Sequence, residues 1–154
     1  RTCQPFAILG SEIPCPFELE KSAFDVPGIP DEVRSTMPLL EEWGIPTRLT
    51  SLQGYEGCFD GYVTVLADAW LESLPLAELA KVEIFACGPT PMLRAVADLA
   101  ARHDLPCQVS LEEFMACGVG GCAGCAVKIN TPEGEAMKRV CVDGPVFDAA
   151  TVAW

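Results

Sequence analysis

Positive charge is scarce in this chain of 154 residues: ten Lys and Arg stand against 22 Asp and Glu, a formal net charge of -12. A surface that acidic repels a phosphate backbone instead of releasing its counterions, which argues against nucleic acid as a partner. Long hydrophobic runs are missing too. None approaches the ~20 residues of a membrane span, and no basic-then-apolar leader precedes a small-residue cleavage site, so no membrane association and a cytoplasmic location are expected. Histidine occurs once, at His103, and neither a nucleophile–His–acid triad signature nor a Walker-type phosphate loop is present. Disorder is excluded as well, because 50% of the residues are apolar and suffice for a core.

Cysteine, by contrast, is plentiful, with nine in the chain. The count is odd and the spacing uneven, which does not suit a disulfide framework. Cys3, Cys15, Cys58, Cys87 and Cys107 are scattered, whereas Cys117, Cys122 and Cys125 crowd together and Cys141 follows in the same segment. Uneven density of this kind points to a site.

Residues 6–10 form a short apolar run stopped by Gly10, which predicts a buried strand. Residues 14–30 are rich in proline and predict a long irregular connection. A short helix over 37–43 and a strand over 46–50 follow. Gly54, Gly57 and Gly61 mark a loop. Tyr62, Val65, Leu66, Ala69 and Trp70 then recur at helical spacing, with Asp60 as the expected cap. The β-rich run 82–87 ends at Gly88-Pro89, and Thr90-Pro91 reads as an N-cap and first turn. Met92, Leu93, Val96, Leu99 and Ala100 make one helix face, and 106–111 is another strand. This alternation predicts a parallel sheet covered by helices, an α/β class with a nucleotide-binding-like domain over 1–110. From 111 to 154 glycines interleave with cysteines, and two strand-like runs, 126–130 and 139–142, flank a turn at 131–134, which predicts a small Cys-rich module with short strands.

Cys117-x4-Cys122-x2-Cys125 with the distant Cys141 follows the spacing of plant-type [2Fe-2S] sites. Two irons bridged by two sulfides need four thiolates converging from several sides, so three come from one loop and the fourth closes it. Glycines let that loop turn tightly and bring amide N–H groups near sulfur. Those donors matter because the oxidised cluster with its thiolates carries a charge of about -2, and reduction makes this about -3. A structural zinc site is an alternative, although zinc usually takes two short-spaced pairs and only Cys122-x2-Cys125 is of that type. Free cysteines packed as small hydrophobes are the other. The redox reading makes the chain a one-electron relay, the zinc reading an interaction module. Glu112-Glu113 are adjacent on a predicted strand and point to opposite faces, which excludes a shared acid–base site. His103 reads as a solvated helix end.

Residues 110–118, Cys122-Ala123-Gly124-Cys125 and residues 140–147 closely resemble the electron-transfer subunit of type B dihydroorotate dehydrogenase, and Cys87-Gly88-Pro89-Thr90-Pro91-Met92 resembles the CGPxxM segment that ferredoxin-reductase-like flavoproteins place near the nicotinamide. The resemblance implies that Cys117, Cys122, Cys125 and Cys141 hold a [2Fe-2S] cluster and that Cys87, Gly88 and Pro89 form a nicotinamide-facing turn. It also implies that FAD and NAD bind the complete subunit. Electrons would pass through the cluster to or from FMN of a separate dihydroorotate dehydrogenase catalytic subunit, in a hetero-oligomer serving pyrimidine synthesis, and this chain would not be catalytic alone. Related iron–sulfur subunits of hydrogenase, sulfite reductase or NADH-dependent ferredoxin:NADP oxidoreductase share these features. No flavin barrel is present and the chain begins at Arg1, so the nucleotide domain is expected to be truncated at its start. Leu52-Gln53 stands where relatives tend to have an acidic pair, which places FAD or NAD binding by this chain alone in question.

Overall fold

The structure is a computed structural model and describes residues 3–154. The chain divides into two compact units, 1–79 and 80–154. The expected change of texture at 111 therefore lies inside the second unit, which also takes in the strand–helix–strand run before the cysteines.

In the first unit, β1 (Ala7–Gly10) is followed by the two-residue strands β2 (Glu20–Lys21) and β3 (Ser35–Thr36), which pair antiparallel. Then come α1 (Pro38–Glu42), β4 (Thr47–Ser51), β5 (Phe59–Asp60), α2 (Val63–Ser73) and α3 (Leu76–Leu79). β4 is central in a parallel sheet of order β1-β4-β5 and is buried along its whole length, although Leu49 is its only aliphatic residue. Its Arg48 lies inside, and burial holds its pKa below the ordinary arginine value. The guanidinium donates to the carbonyls of Thr47 (2.8 Å) and Phe24 (2.6 Å), and Arg34 donates to the same Phe24 oxygen. Glu41 accepts from the Ala23 N–H at 2.6 Å and from Ser22 Oγ at 3.0 Å. The proline-rich connection is thus ordered by polar contacts, mostly part-buried, which hydrophobic periodicity does not report.

Asp60 pairs within β5 and does not cap α2. The cap position is Tyr62, with no side-chain hydrogen bond. The buried face of α2 is set by Leu66 and Leu71, while Val65 is exposed.

The second unit runs β6 (Ile84–Cys87), α4 (Thr90–Arg102), β7 (Cys107–Ser110), β8 (Ala126–Thr131), β9 (Gly134–Arg139), the one-turn helix α5 (Val140–Asp143) and β10 (Val146–Asp148). β6 and β7 are parallel and β10 adds antiparallel to β7, while β8 and β9 form a hairpin. α4 begins one residue from the expected place, with Pro89 at the cap and Thr90 already helical, and ends at His103. The strand expected over 139–142 is instead the end of β9 and α5, so Cys141 stands on a helical turn. Asp143 Oδ2 accepts the Arg139 N–H at 2.7 Å, four residues back, and secures that turn. Leu93, Val96 and Ala100 of α4 pack with Val109, Cys125, Ile129 and Val140 in one core. Among the described residues no helix is long and apolar enough to cross a membrane.

Candidate metal centre

The segment between β7 and β8 has no regular structure and is exposed from Glu112 to Val119. Its path depends on left-handed residues: Gly118 (φ 65°), Gly120 (φ 78°) and the non-glycine Ala123 (φ 54°). Backbone folded this way turns successive N–H groups inward, a nest that favours negative charge. The N–H groups of Val119, Cys122 and Gly121 address the Cys117 sulfur, as does the Cys122 side chain, and the Gly124 N–H donates to Cys122 Sγ at 3.3 Å.

Cys117 and Cys122 are exposed, whereas Cys125 is buried in the core. The Val140 N–H donates to the Cys125 carbonyl at 3.0 Å, tying the end of the loop to the start of α5. That tie places Cys141, half-buried, near Cys125, whose side chain raises its thiol, while the Gly120 N–H lies on its other side and lowers it. Cys117 thus lies near Cys122, and Cys141 near Cys125, with Cys117 also felt at Cys141. Among the described residues the structure does not gather three or more His, Cys, Asp or Glu side chains around one ion.

Cys117 and Cys141 are electrically unlike. The Val119 and Cys122 amides hold the Cys117 thiol down at about 6, so it is chiefly thiolate at neutral pH. The hydrogen bond to Cys125 keeps Cys141 protonated, raising it above the ordinary thiol value. In the metal-free chain, iodoacetamide at pH 7 is therefore expected to alkylate Cys117 ahead of Cys141. Because the thiolate is the nucleophile, its rate should fall about tenfold between pH 7 and pH 5 as the pH drops through about 6. Peptide mapping by mass spectrometry reads this, and a rate flat across that range would contradict it.

Cys87, Gly88 and Pro89 form the turn from β6 into α4, at the carboxyl end of a parallel strand. Gly88 has φ 153°, a backbone conformation that L side chains rarely adopt, which favours glycine at this turn. Cys107 is buried in the core, and burial pushes its thiol up to about 11, as suits an inert packing residue. In the first unit, Cys15 and Cys58 line a cavity of about 200 Å³ with Leu9, Phe17, Leu49 and Tyr55. Glu112 and Glu113 lie in the exposed loop and not on a strand.

The sequence reading missed Arg139 and Asp143. Arg139 Nη1 donates to the Gly120 carbonyl at 3.0 Å, and its Nε lies 3.2 Å from Asp143 Oδ2. The Arg-x3-Asp spacing that places both on one face of a helical turn was the available signal.

A Gly-rich loop carrying three cysteines, with a fourth on a separate element, has the residue types and spacing of a metal–sulfur binding module. Residues 112–153 match the sequence model of the iron–sulfur cluster binding domain of dihydroorotate dehydrogenase B. The C-terminal part of the chain is similar to electron transfer subunits of dihydroorotate dehydrogenase B (NAD(+)). That of Caldanaerobacter subterraneus subsp. tengcongensis is 51% identical over 69 residues, covering 45% of this chain and 28% of the relative. That of Desulforamulus reducens is 46% identical over 70 residues, covering 46% and 27%. The chain thus spans about a quarter of the length of the curated relatives it matches. A solved structure of an NADH-dependent reduced ferredoxin-NADP oxidoreductase, described for flavin-based electron bifurcation, superposes with a TM-score of 0.60 at 28% identity. It covers 77% of this chain and 39% of that one. The mixed α/β fold with parallel strands agrees with that likeness.

Proposed function

We propose that residues 111–154 are a module holding a [2Fe-2S] cluster through Cys117, Cys122, Cys125 and Cys141, within the electron-transfer subunit of an NAD-linked dihydroorotate dehydrogenase. The observation that carries this is the Cys117-x4-Cys122-x2-Cys125 loop with Cys141 beyond it, in a segment that matches an iron–sulfur cluster binding domain over residues 112–153. That spacing suits two bridged irons, whereas zinc usually takes two short-spaced pairs. The donors fit the group in kind as well: thiols only, with amide N–H groups from the loop aimed at sulfur, which offset negative charge there. When bound, such a cluster supplies one-electron transfer.

The chain's own residues have separable tasks in this reading. Cys125 anchors the site in the core, and Cys141 is held to it by α5. Cys117 and Cys122 occupy the exposed rim, next to Phe114 and Val119, which are 94% and 77% exposed. Apolar side chains so placed support a partner protein at that rim, the FMN-containing catalytic subunit of a hetero-oligomer. The Cys87-Gly88-Pro89 turn, at a strand's carboxyl end, is the element suited to face a nicotinamide, with FAD and NAD bound in the complete subunit. The family match over 112–153 and the relatives' names support the assignment to dihydroorotate oxidation.

A second reading is favoured by the superposition across 77% of the chain: a subunit of an NADH-dependent ferredoxin:NADP oxidoreductase. Affinity purification from the native source separates the two. Recovery with an FMN protein that oxidises dihydroorotate is expected. Recovery with a ferredoxin-linked flavoprotein, a hydrogenase or a siroheme protein would overturn the first reading.

A further inference from the structure

Gly120 stands between a thiol and a cation. Its N–H addresses the Cys141 sulfur, and its carbonyl accepts from Arg139 Nη1 at 3.0 Å. Gly120 has a backbone φ of +78°, which favours glycine, and a Cβ there would lie tight against Val142 Cγ2 (3.0 Å) and Arg139 Nη1 (3.2 Å). The guanidinium is fixed from its other side by Asp143, and the Arg139 backbone N–H donates to the same carboxylate oxygen. Arg139 is thus tied to the cysteine loop at one end and to the helical turn bearing Cys141 at the other. Both the Cys141 and Cys125 sulfurs interact electrostatically with it, after the larger effect of Asp143. In a chain with only ten Lys and Arg, this cation is held beside the thiol pair by an arrangement spanning three elements.

We propose that Arg139 is a positioning and charge-compensating residue for the Cys125–Cys141 half of the site, and that its fixed positive charge favours electron uptake there. The proposal rests on the iron–sulfur reading above. An electron taken from a reductant adds a negative charge to a group already at about -2, and a nearby cation stabilises the added charge. The Arg139 side chain is 42% exposed, so solvent screens part of the effect. Asp143 opposes it while orienting the guanidinium, which gives the two residues effects of opposite sign.

The test is a redox titration with dithionite of the full chain purified anaerobically, followed by electron paramagnetic resonance, with iron per chain measured alongside. Arg139→Gln is expected to retain iron, while its reduced-to-oxidised ratio at a fixed poise falls roughly three- to tenfold; tenfold corresponds to a midpoint about 59 mV lower. Arg139→Lys should stay within about twofold of the native ratio, because the charge is kept. Asp143→Asn should shift the ratio upward. Arg139→Gln with native iron content and an unmoved ratio would overturn the proposal. So would equal iron loss in the Gln and Lys variants with the remaining clusters titrating as native, since that is a purely structural role. A native chain that takes up no iron would sink the underlying reading, and the native control distinguishes this from failure of the Arg139 proposal alone.

Discussion

Replacing Cys141 by serine is expected to abolish the visible absorption of the anaerobically purified chain, to roughly a tenth of native or less, while its far-ultraviolet circular dichroism persists. A serine hydroxyl does not ionise near neutral pH and cannot stand in for a thiolate toward a soft metal–sulfur group. The loss is expected to exceed the 10- to 100-fold that removal of an outer-shell partner typically costs in metal affinity, because a direct ligand is removed. It should also be specific. Cys125 is buried and lies near Cys141, so the substitution removes one donor at the core end of the proposed site while Cys117 and Cys122 remain. Cys3→Ser, at an exposed position outside the second unit, is expected to leave the absorption unchanged. Full absorption in Cys141→Ser would remove Cys141 from the ligand set.

Truncating Leu93 to alanine is expected to be the most damaging single change to the second unit that touches no cysteine. Leu93 is 1% exposed and packs in the core that also contains Val109, Cys125 and Val140. Removing a buried leucine costs about 2–5 kcal/mol through lost burial and the cavity left behind. Against a typical domain stability of about 5–15 kcal/mol, that is a large share. For a unit of this size each kcal/mol lowers the melting midpoint by about 4–8 °C. The effect should reach the site, because the same core seats Cys125 and the start of α5. Calorimetry and the rate of colour loss on warming should therefore move together. Phe114→Ala, at a position 94% exposed, is the comparison and should stay within about 0.5 kcal/mol of native. An unchanged melt in Leu93→Ala would contradict the packing described.

What the sequence shows of this fold follows from which forces have a linear signature. α4 was legible because Leu93, Val96, Leu99 and Ala100 recur at helical spacing and are the residues buried. The strands at 7–10, 47–51, 84–87 and 107–110 were legible as short β-rich runs bounded by Gly and Pro. β5 and β10 were not: they are two and three residues long and owe their existence to pairing with β4 and β7, a non-local cause. Val140, Cys141 and Val142 of α5 have β propensity and give a strand-like signal, whereas the Asp143 carboxylate capturing the Arg139 N–H decides for a helical turn. The buried Arg48 at the centre of a parallel sheet left no trace in hydrophobic patterning.

The candidate site was more legible than the fold around it, since cysteine spacing is local chemistry. Cys117, Cys122, Cys125 and Cys141 could be singled out from the sequence, but the placement of Cys141 near Cys125 could not. It depends on Gly120 reaching Cys141 and on Val140 tying to Cys125, contacts across 15 to 21 residues of chain. Arg139 is marked in the sequence only by its Arg-x3-Asp spacing to Asp143, which has a meaning on a helical turn and none on the strand expected over 139–142.

The most direct measurement is iron and acid-labile sulfide per chain on protein purified without oxygen. About two irons and two sulfides per chain, lost together when Cys125 or Cys141 is replaced, is the predicted result. A folded chain that carries a single zinc ion and no sulfide, or no metal at all after reconstitution with iron and sulfide, would contradict it.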